Sequence, residues 1–125
     1  MDYASAWKAR LTEDEENRLR LFYEAREAAE KAAKILVEQF DAERVYLIGS
    51  LLSEDFFTEY SDIDIAVSGL KADEYFKALN SIWGLLPEGI KGIDLIPMED
   101  ADEYLRAVIL EEGVILYDKK QPACS

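Results

Sequence analysis

Leu19, Phe22, Ala25, Ala29, Ala32, Ile35, Leu36 and Phe40 recur at spacings of three and four, which draws one apolar stripe along a helix predicted over residues 12–40. Thr12 and Glu15 have the capping-box pattern, in which the hydroxyl bonds the backbone N–H three residues on and the carboxylate reaches back. Residues 3–10, which carry Trp7, are either a separate short helix or the first turns of the same one. The stripe reads first as core and second as an interface.

The periodicity then changes. Val45-Tyr46-Leu47-Ile48 is a short run of strand formers that stops at Gly49, and Ile63-Asp64-Ile65-Ala66-Val67 is a second that stops at Ser68-Gly69. Between them residues 51–60 place Phe56, Phe57 and Tyr60 among acids, as a loop or a short helix with some buried aromatics. Residues 72–83 are helical in pattern, with Tyr75, Phe76, Leu79 and Trp83 on one face. Residues 90–96 predict a third strand, broken by Pro97. Residues 100–112 form a further helix with Tyr104, Leu105, Val108 and Ile109 on one face, and residues 114–117 are a last short apolar segment compatible with a strand. Strands alternating with helices predict an α/β or α+β fold, a sheet with helices on its faces. No repeat or linker divides the chain, so it reads as one domain over residues 1–125. Within it, residues 1–40 are a helical extension and 41–118 the core.

Composition narrows the function. The chain has 125 residues, half of them hydrophobic, and a formal charge of −13 from 27 acids against 14 bases. Such a surface repels nucleic acid and attracts a basic protein. Histidine is absent, so catalysis falls to carboxylates, hydroxyls or lysines. The lone Cys124 excludes a disulfide framework and fits a reducing compartment. The opening Met1-Asp2-Tyr3-Ala4 lacks a signal-peptide pattern, and no apolar run reaches membrane-spanning length, so a cytoplasmic location without a membrane is expected.

Three acids stand out by their placement. Asp62 and Asp64 are two apart on a strand, so both face one side with Cα atoms roughly 6 to 7 Å apart. Asp94 interrupts the apolar run Ile93-Asp94-Leu95-Ile96, and a charge inside such a run is costly unless it has a task. Gly49-Ser50, ahead of Asp62 by twelve residues counted from Ser50, offers backbone N–H groups and a hydroxyl that can approach phosphate. Carboxylates in this array suit magnesium, which binds a few protein oxygens together with substrate phosphate. Asp94 would complete a two-metal clamp or accept the proton of an attacking hydroxyl. Like-charge repulsion among three acids is expected to raise at least one carboxylate pKa. The plain alternative is that Asp-x-Asp is solvated surface, which arises easily where more than a fifth of the residues are acidic, with Gly49 a strand terminator and Ser50 a turn residue.

At these residues the chain resembles the minimal nucleotidyltransferases of the DNA polymerase beta superfamily. The likeness runs from about residue 30 to 118. It rests on Gly49-Ser50, on Ser61-Asp62-Ile63-Asp64-Ile65-Ala66-Val67, on Ile93-Asp94-Leu95-Ile96, and on the ending Glu112-Gly113-Val114-Ile115-Leu116-Tyr117. The resemblance implies the nucleotidyltransferase fold, a mixed sheet flanked by helices. It implies Mg2+ (or Mn2+) at Asp62, Asp64 and Asp94, with Asp94 the third ligand or the base, and nucleotide at Gly49 and Ser50. It further implies transfer of AMP from ATP to a protein hydroxyl, and a role as the antitoxin of a HEPN-type toxin, with an oligomer in prospect. One departure is plain: where such proteins carry a short basic stretch after Gly-Ser, this chain has Leu51-Leu52-Ser53-Glu54-Asp55, and the spacing to the first Asp is one residue longer than usual. No Lys or Arg lies between Arg44 and Lys71, which leaves triphosphate to the metal, the Gly-Ser backbone, and Arg44, Lys71, Lys77 or Lys91.

Two other functions compete with the enzyme. A non-catalytic antitoxin that neutralises its partner by binding is favoured by the missing basic stretch and opposed by the complete acid triad. A small-molecule nucleotidyltransferase is opposed by the lack of room for a separate acceptor domain.

Overall fold

The structure is a computed structural model that describes the backbone of residues 3–120 and the side chains of residue 8 and residues 10–120; the side chain of Trp7, and Cys124, lie outside it. Helix α1 runs unbroken over Tyr3–Phe40. No proline or glycine occurs in that stretch, so nothing stops the helix before Thr12 and the predicted cap there is not used. Residues 3–10 are its first turns. Glu15 instead accepts from Arg18 Nε at 3.0 Å. The helix ends where Asp41 takes a φ of 59° and the Ala42 N–H turns back to the Leu36 carbonyl at 3.0 Å.

Four strands follow: β1 (Arg44–Ile48), β2 (Ile63–Ser68), β3 (Ile93–Pro97) and β4 (Val114–Asp118). They form one mixed sheet in the order β3-β2-β1-β4. β1 is antiparallel to β2 and to β4, while β2 and β3 are parallel. The third strand begins later than the apolar run implied, because the Ile90 N–H is taken by the Pro87 carbonyl in a turn. Pro97 closes the strand rather than breaking it. β3 lies at a sheet edge, where the missing N–H costs no ladder bond.

Strand alternation sends the large apolar residues to one face. Val45, Leu47, Ile63, Ile65, Val67, Ile93 and Leu95 are buried there against the α1 stripe of Phe22, Ala25, Ala29, Ala32, Leu36 and Phe40. The stripe is therefore core, and its run of alanines lets the helix lie close to the sheet. Helix α2 (Tyr75–Trp83) joins this layer, but on a face rotated from the predicted one. Ala78 and Ile82 are buried, and Phe76 and Trp83 are exposed. Two overlapping stripes were available, and Tyr75 fixes the choice by donating to the Leu95 carbonyl at 2.8 Å.

The opposite face is thinly covered. Helix α3 (Glu103–Glu112) places Ile109 against Tyr46, Ala66 and Met98, with Leu105 partly buried beside them and Tyr104 exposed. It starts three residues later than expected because Asp102 is the cap. Its carboxylate accepts the Leu105 N–H at 2.8 Å, after a 3-10 turn over Met98–Asp100. Asp102→Ala is expected to cost about 1 kcal/mol, read from urea unfolding. Within residues 51–60, Leu51 and Phe57 are buried and Phe56 and Tyr60 exposed, so the aromatic trio is split between core and surface. Among the described residues no helix is long and apolar enough to cross a membrane.

Candidate functional site

The same alternation that buries Ile63, Ile65 and Val67 turns Asp64 to the thinly covered face, and the β2–β3 register sets Asp64 directly beside Asp94. Antiparallel pairing sets it opposite Ile48, the last residue of β1. Asp62 lies just ahead of β2 and is exposed, as is Asp94, while Asp64 is half-buried. Asp64 and Asp94 thus stand side by side on two strands next to Gly49, the residue after β1, whereas Asp62 precedes β2 instead of sharing the strand with Asp64 as expected.

Gly49 is bound to this place by two constraints. Its φ is +80°, and a Cβ there would stand 2.4 Å from Asp64 Oδ2. The backbone lies against the carboxylate, and only glycine permits it. Ser50 follows, half-buried, in the 3-10 turn Gly49–Leu52.

One carboxylate is raised as expected, with burial the leading cause and like-charge repulsion the next. Asp64 is raised from 3.8 to about 6, first by partial burial, then by the charges of Asp94 and Asp62, then by a side-chain hydrogen bond with Asp94. Every cause acts in the same direction, against ionisation. Among the described residues no three carboxylates are already gathered as a metal-ligand group. The donor chemistry nevertheless fits a hard divalent cation: three nearby carboxylates, one of which resists ionisation first through partial burial and then because its neighbours are negative.

Of the four basic candidates for phosphate, the structure brings one to this end of the sheet. Arg44 is at the far end of β1, roughly 13 Å of strand from Ile48, the residue before Gly49. There its Nε donates to Asp118 Oδ2 and its Nη1 to the Tyr46 hydroxyl, each at 3.0 Å. Lys71 follows the far end of β2, and Lys77 is on α2. Lys91 precedes Gly92, whose added Cβ would lie 3.4 Å from Asp62 Oδ1. Its Nζ stands 5.8 Å from the centre of the Tyr60 ring. Gly92 was missed by sequence reasoning. It packs on Asp62 and its carbonyl accepts the Ile63 N–H at 3.1 Å, and the only signal for it was a glycine shortly before a strand.

A family model described as Polymerase beta, Nucleotidyltransferase matches residues 30–122, so the chain belongs to the polymerase beta nucleotidyltransferase family. The matched span covers most of the chain, though it leaves out the first three-quarters of α1. Among solved structures, a chain of the toxin–antitoxin complex MntA–HepT is similar at 22% identity over 77% of this chain and 74% of that one, with a TM-score of 0.55. A toxin–antitoxin structure with AMP-PNP is similar at 23% identity over 74% of this chain and 75% of that one, with a TM-score of 0.57. At these identities the likeness is one of fold. A search of curated protein sequences returns no match.

Proposed function

We propose that the protein is a magnesium-dependent nucleotidyltransferase that moves AMP from ATP to a protein hydroxyl and serves as the antitoxin of a HEPN-type toxin. The observation that carries the reading is the meeting of Asp64 and Asp94 in register, with Gly49 pressed on the Asp64 carboxylate, in a chain of the nucleotidyltransferase family. The similar folds in the MntA–HepT toxin–antitoxin pair and in a toxin–antitoxin structure with AMP-PNP support the partner and the adenine nucleotide.

In the proposed reaction the acceptor oxygen bonds to the α-phosphorus of ATP. The bond from that phosphorus to the oxygen bridging to the β-phosphate breaks, pyrophosphate leaves with the electron pair, and the hydroxyl proton passes to Asp94. Gly49 and Ser50 hold the distal phosphates through backbone N–H groups and the hydroxyl. Lys91, next to the Gly92 that packs on Asp62, is the basic residue assigned to assist. Asp62, Asp64 and Asp94 would hold Mg2+ or Mn2+, which when bound neutralises phosphate charge and orients the displacement. Side-chain rotation of the exposed Asp62 and Asp94 would gather the ligands.

Adding magnesium or manganese is expected to raise the melting temperature, and to raise it further with ATP, since ligands that bind only the folded state stabilise it. A titration without any shift, with and without nucleotide, would remove the metal site. A second reading, a non-catalytic antitoxin, draws on the acidic Leu51-Leu52-Ser53-Glu54-Asp55 and on the remoteness of Arg44, Lys71 and Lys77. Incubating the protein with α-labelled ATP and a HEPN-type toxin decides between them: label on the toxin supports the enzyme, and neutralisation without label supports the binder.

A further inference from the structure

A groove of about 790 Å3 uses residues outside the family match. One wall is the projecting part of α1, from Leu11 to Glu24, and the other is formed by residues 58–60 and 88–89. Leu21 lies at the join, its Cδ1 positioned 3.3 Å from where a Cβ of Gly89 would stand. One wall of the groove is close in sequence to Asp62. Tyr60 on its wall is two residues from Asp62, and Gly89 is three residues from Gly92, which packs on Asp62.

The lining has two characters. Asp14, Glu15, Glu24, Glu59 and Glu88 outnumber Arg18 and Arg20. Arg18 is further committed: it bonds Glu15 and donates to the Glu54 and Phe57 carbonyls at 2.6 and 3.0 Å. Between the acids stand two apolar surfaces open to solvent, Leu11 at 62% and Tyr60 at 75% exposure. Acids at the rim with apolar patches between them suit side chains with a long aliphatic stem and a cationic head. The Tyr60 ring already has a cation, Lys91, 5.8 Å from its centre.

We propose that this groove seats a lysine- and arginine-rich polypeptide segment of the acceptor protein and leads its hydroxyl-bearing residue to the Asp62, Asp64 and Asp94 site. The seating stands on the groove alone, and the delivery rests on the transferase reading above. Nucleic acid is repelled by the same acids and by the net charge of −13. A second copy of this chain would bring like charge to the groove.

The test is binding of a fluorescent oligolysine peptide with one tyrosine, read by anisotropy at low and high salt. Glu59→Lys with Glu88→Lys is expected to weaken binding about tenfold or more at low salt, and high salt to weaken wild-type binding. Glu30→Lys with Glu38→Lys makes the same charge change on exposed positions of α1 away from the groove and is expected to have little effect. Four outcomes overturn the proposal: no wild-type binding, an equal loss in the control pair, equally tight binding of spermine, or a wild-type dimer that the groove variant dissolves. The ATP-dependent thermal shift of the same samples separates the two readings. If wild type binds peptide through the groove and shows no shift, the nucleotide reading fails and the groove stands. A shift without peptide binding means the reverse.

Discussion

Asp64→Asn is expected to melt a few degrees above wild type near neutral pH while transferring no measurable AMP. In the folded chain Asp64 titrates at about 6 against an ordinary 3.8. A raised carboxylate pKa means that the folded state holds the proton more tightly than the unfolded one. Stability therefore falls as pH rises from about 4 through about 6, and the cost is complete above that window. Unscreened, a difference of this size corresponds to ~3 kcal/mol. The carboxylate keeps contact with solvent, so roughly 1 kcal/mol survives screening. Asparagine keeps the shape and brings no charge toward Asp94 and Asp62. Melts compared at about pH 8 and about pH 4 should differ between the proteins by ~3 to 6 °C at the higher pH and hardly at all at the lower. On the proposed chemistry the lost carboxylate costs about a hundredfold or more in transfer. Equal melting at both pH values would deny the repulsion, and undiminished labelling would deny Asp64 its role.

Gly49→Ala should damage fold and site together. Alanine at a φ of +80° is strained, and its methyl carbon would stand 2.4 Å from Asp64 Oδ2, closer than nonbonded atoms tolerate. The side chain it meets is held in the sheet between Ile48 and Asp94, so relief requires moving the carboxylate or the strand end. A loss of about 2 to 3 kcal/mol is expected, together with loss of nucleotide-dependent stabilisation. Gly84→Ala is the control. Gly84 has a φ of −65° and nothing within 4 Å of its added Cβ, so alanine there should be neutral or stabilise by about 0.5 kcal/mol. Urea titrations of both variants check this, and similar values for the two would remove the claim that Gly49 is shaped by Asp64.

The candidate site was legible because its parts are local signals. Asp64 and Asp94 interrupt apolar strands, and a charge inside such a run is visible without any structure. Gly49 ends a strand, and positions two apart share a face wherever the segment is a strand. Gly92 was not legible, because its closeness to Asp62 arises only when β3 is laid parallel to β2. The basic candidates show the same limit. Arg44, Lys71, Lys77 and Lys91 were equivalent as letters, and the sheet separates them by putting Arg44 a strand length from Gly49, paired with Asp118.

By itself the sequence determined the long helix, the strands and the facing of Asp64 and Asp94, because periodicities of three to four and of two are properties of one segment's geometry. It could not place the start of α1, since no breaker precedes Thr12, nor the buried face of α2, where Ala78 and Ile82 pack while the larger Phe76 and Trp83 remain outside. Those outcomes depend on which surfaces meet. The tertiary structure alone decided that Asp64 abuts Asp94 and the Gly49 backbone, and that α1 from Leu11 to Glu24 walls a groove against residues 58–60 and 88–89. Both are contacts between residues distant in the chain, fixed by strand order and register rather than by any local preference.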